Sequence, residues 1–113
     1  MEKKLIIIGL DGVPWRVLDK MIDQGATPNL ERLKRGGSWG EFKTTIPPLT
    51  PSAWASIQTG VNPGKHGVFS FTGPSKKEGG APSTVNASDI ETTTMPEYLE
   101  NAGHKAVLVN LPL

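Results

Sequence analysis

Three residues of this 113-residue chain combine a reactive side chain with a setting that would present it: Thr50, Asp11 and His66. Thr50 lies in Leu49-Thr50-Pro51-Ser52-Ala53-Trp54, a hydroxyl directly before a proline. A short apolar-periodic segment follows (Ala53, Trp54, Ile57) and stops at Thr59-Gly60. Proline is favoured at the first helical position, where its missing N–H would have had no helical acceptor. The pattern therefore predicts Thr50 as N-cap and Pro51 as the first helical residue. The preceding Ile46-Pro47-Pro48-Leu49 is stiff and extended, because residues before proline avoid the α region. A hydroxyl would thus be held at the positive end of a helix, beside backbone N–H groups that attract an anion. The same arrangement describes a plain capping threonine, and the local pattern leaves both readings open.

Asp11 follows Leu5-Ile6-Ile7-Ile8, a continuous β-branched-rich run that predicts a strand covered on both faces in a parallel sheet. Gly9-Leu10-Asp11-Gly12 puts the carboxylate at the strand's carboxyl end, the edge where ligands bind in open α/β sheets. An ordinary Asp-Gly turn is the alternative. One carboxylate and one hydroxyl on a shared divalent cation form a coherent pair. The cation would acidify the hydroxyl toward an alkoxide nucleophile and polarise a phosphoryl oxygen. Asp11 and Thr50 are therefore expected to face one cleft. His66, in the turn Gly64-Lys65-His66-Gly67, is a further candidate ligand. Lys65 reads as solvated, and His104 as a surface histidine at the far end of a strand.

The elements that must position these residues can be taken in order. A helix is predicted from about Pro14, with Trp15, Leu18 and Ile22 on one face and Gly25 at its C-cap. Thr27-Pro28 opens a second helix that runs through Leu30 and Leu33, with Glu31 and Arg35 spaced for an i,i+4 pair, to Gly36-Gly37. Trp39 to Thr45 alternates weakly and predicts a second strand. The segment rich in Gly, Pro, Ser and Lys from Thr72 to about Ser88 has no period, so a flexible loop is expected over 72–90. Thr94-Met95-Pro96-Glu97 reads as a capping box opening a helix that ends at Gly103, and Ala106 to Val109 predicts another buried strand. The fold class expected is α/β, layered helix-sheet-helix with a mainly parallel sheet.

Composition sets outer bounds. The chain suits one small domain, and 36% hydrophobic residues with a formal net charge of +1 give no basis for nucleic-acid binding by charge. Absence of cysteine excludes disulfides and thiolate metal sites. The charged and apolar N-terminus is too short for a signal peptide and is interrupted by Asp11, and no segment is long enough to span a membrane. A cytoplasmic location is the expectation. Gly9-Leu10-Asp11-Gly12 also lacks the G-x-G-x-x-G of dinucleotide domains.

The stretch LTPSAWASIQTGVNPGKHGVFSF resembles the nucleophile region of the alkaline phosphatase superfamily. Within it, the closest branch is the type I phosphodiesterase/nucleotide pyrophosphatase family, whose members carry Thr or Ser before a helix ending in TG-x-x-P-x-x-HG. GLDGV and TPNLERLKRGG are similar to family segments in place and spacing. The resemblance implies that residues 1–113 are the N-terminal part of one alkaline phosphatase-like catalytic domain, with an incomplete core. It implies Thr50 as a nucleophile that becomes a covalent phospho-threonine and also as a metal ligand, and Asp11 as a metal ligand. It makes His66 a supporting or structural histidine, and it leaves substrate-binding residues unassigned. The cofactors it implies are two divalent metal ions, zinc foremost, with manganese or iron as alternatives. The substrate it implies is a small phosphate ester, a phosphodiester or pyrophosphate. Further Asp and His ligands of the family lie downstream, so this chain is expected to be inactive alone and to self-associate through uncovered apolar sheet surface. Pro51 stands where many nucleotide pyrophosphatases have an aromatic residue, which loosens the expectation of nucleotide specificity. The alternatives are a metal-dependent phosphomutase, a sulfatase relative, or a non-catalytic α/β binding module with Thr50 as a cap and Asp11 in a turn.

Overall fold

Each helix predicted from the sequence forms in the computed structural model, which describes residues 4–75 and 78–113. Residues 1–3 of the charged N-terminus and residues 76–77 of the loop expected over 72–90 lie outside the described residues. The chain divides into two compact units, Met1–Phe42 and Lys43–Leu113.

The first unit is a helical hairpin. Helix α1 (Trp15–Asp23) starts after the extended Pro14 and half-buries Trp15, Leu18 and Ile22, while Val17 and Met21 stay more exposed. The chain turns at Gly25, whose φ of +69° is a left-handed conformation that suits glycine. Helix α2 (Pro28–Gly36) carries the Glu31–Arg35 ion pair at 2.6 Å. Thr27 occupies its N-cap position, but at φ −131° and ψ 62° its hydroxyl makes no capping bond. That hydroxyl is buried and finds no partner among the described residues. The contact between the helices is electrostatic as much as apolar. Lys34 of α2 bonds Asp19 of α1 at 2.6 Å, and its ammonium lies 4.0 Å from the Trp39 ring centroid and 4.9 Å from that of Trp15. The two indoles meet at 5.1 Å with a tilt of 51°.

The second unit is built on α3 (Thr50–Thr59). The short helix α4 (Pro63–His66) folds back on it, and α5 (Met95–Asn101) packs against it. Ala55 and Val68 are buried apolar residues here, joined by the buried polar side chains of Ser52, Gln58 and His66. Gln58 Nε2 donates to the Pro112 carbonyl at 3.1 Å, tying the last turn of α3 to residues 111–113. Two short strands, β1 (Thr72–Gly73) and β2 (Ser83–Thr84), pair antiparallel, with Thr72 opposite Thr84. A 3-10 turn over Ala87–Asp89 follows, so the segment expected as an aperiodic loop carries a ladder and a helical turn.

The expected parallel sheet is not formed among the described residues. The sheet they contain is the antiparallel β1–β2 ladder, and the fold is a mixture of helices with that ladder, consistent with part of an α/β domain. Residues 5–8, 39–45 and 106–109, read as strands, have no strand assignment. A strand exists through its neighbour's N–H and C=O groups. Among the described residues none of these runs joins a strand ladder. Leu5 and Ile6 are about four-fifths exposed and Val107 is 88% exposed, so their apolar character is not spent on a core. No helix among the described residues is long and apolar enough to cross a membrane.

At the start of α5, the Glu97 carboxylate accepts the Thr94 N–H at 2.6 Å and the Thr94 hydroxyl at 2.8 Å. These bonds, the backbone one first, hold Glu97 below its ordinary pKa of 4.5. The bonded form is the ionised one, so its stabilisation is present above pH 4.5 and is lost as the pH falls through the lowered value. Thr94→Ala should lower the Tm at neutral pH by a few degrees, and the difference from wild type should shrink in acid. Thermal melts followed by circular dichroism across that range check both.

Candidate active site

Thr50 opens α3, and its presentation depends on the residues before it. Leu49 is extended (φ −118°, ψ 147°), and its carbonyl accepts the Ala53 N–H at 2.9 Å. That bond makes Leu49 the N-cap and Thr50 the first helical residue, with Pro51 second, one position earlier than the sequence pattern suggested. The Leu49 carbonyl is also met by the Ser52 hydroxyl at 2.9 Å. Ser52 is fully buried, and its Oγ lies 2.8 Å from the Pro47 carbonyl and 3.2 Å from Thr45 Oγ1. Thr45 Oγ1 in turn donates to the Pro47 carbonyl at 2.9 Å. Thr50 itself is half-buried.

Behind α3 stands His66, with no exposed surface. The Val68 N–H donates to its Nδ1 at 3.1 Å, so the ring proton resides on Nε2 and is donated to Ser56 Oγ at 2.9 Å. Burial pushes the His66 pKa down from its ordinary 6.5, while hydrogen bonding to the His66 and Ser52 backbone carbonyls pulls the other way. Gly67 has a φ of +81°, a left-handed conformation that suits glycine, and an added Cβ would come within 2.9 Å of the Glu91 side chain, which would have to move. The Glu91 N–H bonds the His66 carbonyl at 3.0 Å. Helix α3 ends at Gly60 (φ +71°), with the Thr59 hydroxyl bonded back to the Ala55 carbonyl at 2.7 Å. Thr59-Gly60, Pro63 and His66-Gly67 are thus the corners of one bracket that returns the chain onto α3.

The family model for type I phosphodiesterase / nucleotide pyrophosphatase matches residues 5–112. The chain belongs to this family. Comparisons with curated proteins and with solved structures gave no match. The family match spans both Asp11 and Thr50, as well as the bracket just described. Asp11 is exposed, in a turn followed by Gly12 at φ +69°, and belongs to the first unit, whereas Thr50 and His66 belong to the second. A surface concavity of the first unit, lined by Ile22, Glu31, Lys34 and Trp39 among others, does not include Asp11.

A phosphodiesterase of this family is expected to hold two divalent ions, so the donor set can be tested against that need. Among the described residues no three His, Asp or Glu side chains are grouped to hold a metal ion. His66 has both ring nitrogens engaged inside the unit, and coordinating a metal would break one of those bonds. The described residues do not fit a two-ion site by themselves.

Several residues around Thr50 escape a reading based on reactive types alone. Ser52, Ser56, Thr45 and Gln58 look unremarkable one at a time. The signal that could have found two of them, Ser52 and Ser56, is spacing: Ser52, Ala55, Ser56 and Thr59 fall on one face of α3 and are all small. A small face lets the loop and His66 approach the helix axis closely.

Ser56→Ala should leave the buried Nε2–H of His66 without its acceptor and cost about 1–3 kcal/mol in urea unfolding. The unfolded chain takes up the His66 proton first, so stability should be full above pH 6.5 and fall as the pH drops toward the lowered folded value. Gly67→Ala should destabilise clearly more than Gly64→Ala, whose added Cβ would meet only Asn62 Oδ1 at 3.4 Å.

Proposed function

We propose that this chain supplies the nucleophile of a phosphate-ester hydrolase, acting on phosphodiesters or pyrophosphates. The observation that carries the reading is the family match over residues 5–112, with Thr50 as the first residue of α3. In this reading the Thr50 oxygen attacks phosphorus and loses its proton to solvent, the leaving alkoxide or phosphate departs with its bonding electrons and takes up a proton, and a phospho-threonine remains. Water then attacks that phosphorus and restores the hydroxyl. The first turn of a helix suits this chemistry, because its N–H groups and dipole favour the negative charge that gathers on the phosphoryl oxygens. Asp11 and Thr50 are the oxygen ligands the chain would contribute toward divalent ions, with zinc first and manganese or iron as alternatives. The remaining ligands are not grouped among the described residues.

Two features support hydrolase over binding module. A cap needs only its own helix end. Here the residues that shape the Thr50 turn are buried polar groups, which cost desolvation that a simple loop would avoid. Thr50 is also the first helical residue rather than the N-cap.

The test has two arms. In the product of the natural gene, assayed on an activated aryl phosphodiester with added zinc or manganese, Thr50→Ala should lower kcat by about a thousandfold or more, while Thr50→Ser keeps part of it. Residues 1–113 alone should show no metal-dependent turnover above the Thr50→Ala background. Near-normal kcat in Thr50→Ala would overturn the nucleophile assignment. Turnover by residues 1–113 that vanishes in Thr50→Ala would show the chain to be sufficient.

A further inference from the structure

We propose that Ser52 and Thr45 are positioning residues for Thr50, clasping the Pro47–Leu49 loop so that the Thr50 side chain is offered in one orientation. The inference rests on the nucleophile reading of Thr50 and goes beyond it by naming what places the hydroxyl. Ser52 Oγ has three oxygen neighbours, the carbonyls of Pro47 and Leu49 at 2.8 and 2.9 Å and Thr45 Oγ1 at 3.2 Å. Each hydroxyl carries one proton, so the pair can share these acceptors in several ways: Ser52 can donate to Leu49 or to Pro47, and Thr45 to Pro47 or to Ser52. In each of these the pair donates at least one bond to a carbonyl of the Pro47–Leu49 loop. The Leu49 N–H adds a bond to the Pro47 carbonyl at 3.0 Å, closing the turn immediately before Thr50.

The burial of Ser52 is what makes this a placing device. The first turn of a helix has no general need for a buried serine, and alanine has the higher helix propensity. A hydroxyl kept there at full burial, within hydrogen-bond distance of the Pro47 and Leu49 carbonyls, fixes the entry angle of the chain into α3. Thr45 does the same from outside the helix, and its methyl is not what contacts the loop carbonyl, since the bond is made by Oγ1.

The experiment uses residues 1–113 and does not require turnover. NMR of the Thr50 methyl, with χ1 couplings, should show one rotamer in the wild type. Ser52→Ala and Thr45→Val should give averaged couplings, and Thr45→Ser, which keeps the hydroxyl, should restore the single rotamer. As a second readout, the chain contains no cysteine, so Thr50→Cys can be alkylated uniquely with iodoacetamide. At neutral pH its rate should exceed that of the same chain in urea by about threefold or more, and adding Ser52→Ala should remove most of that gain. Circular dichroism shows whether each variant is folded. A single Thr50 rotamer and an unchanged alkylation rate in folded Ser52→Ala and Thr45→Val would overturn the proposal while leaving the nucleophile reading intact. A Thr50→Cys thiol no faster than in urea would overturn the nucleophile reading and the proposal with it. Should Ser52→Ala fail to fold, Thr45→Val at the less buried partner decides. Loss of fold in both overturns the proposal, because the hydroxyls would then be holding the unit rather than placing Thr50.

Discussion

The neutral imidazole of His66 is enclosed by the second unit, and the arrangement of α3 and the return of the chain after it depend on that enclosure. A buried imidazole is tolerable only if both nitrogens are bonded, and here one accepts from Val68 N–H while the other donates to Ser56. Those two bonds reach in opposite directions, to the chain following the histidine and to α3. They therefore fix the distance between α4 and α3 more strictly than apolar contact would. Gly67 must then turn sharply with positive φ, and Glu91 closes over it. The His-Gly pair is accordingly a packing element, and the small residues of α3 are its other half.

The same principle operates at both ends of the helix. Polar groups are buried at Ser52 in its first turn and Gln58 in its last, each with a partner that lies outside α3, in the Pro47–Leu49 loop or at Pro112. A unit of this size has little apolar interior, with Ala55 and Val68 its buried hydrophobic residues. Directional bonds therefore carry much of its specificity. Such bonds fail abruptly when one partner is removed, because the other is left desolvated. The geometry around Thr50 inherits this sharpness.

The first unit follows another rule. Its helices are joined by an ammonium held between a carboxylate and two indole rings, an arrangement that tolerates partial exposure since Lys34 retains contact with solvent. The Leu5–Ile8 run leading to Asp11 contributes nothing to that contact and stays exposed.

What the sequence determined was local. Proline after a hydroxyl, glycine after an apolar stripe and the Thr94–Glu97 box encode their helices by backbone preference and by bonds between near neighbours, so α1, α2, α3 and α5 were legible. So was the family, because the hydroxyl, Thr-Gly, Pro and His-Gly recur at fixed spacing. The apolar runs were legible as strand-forming but not as strands, since pairing needs a second edge that propensity cannot supply, and residues 5–8 and 106–109 remain unpaired in their units. The identity of the N-cap, the tautomer of His66 and the clasp of Ser52 and Thr45 were decided only in the tertiary structure. Each depends on which carbonyl or hydroxyl comes within about 3 Å of a given group once the chain has folded back, and that proximity is a property of packing rather than of residue type.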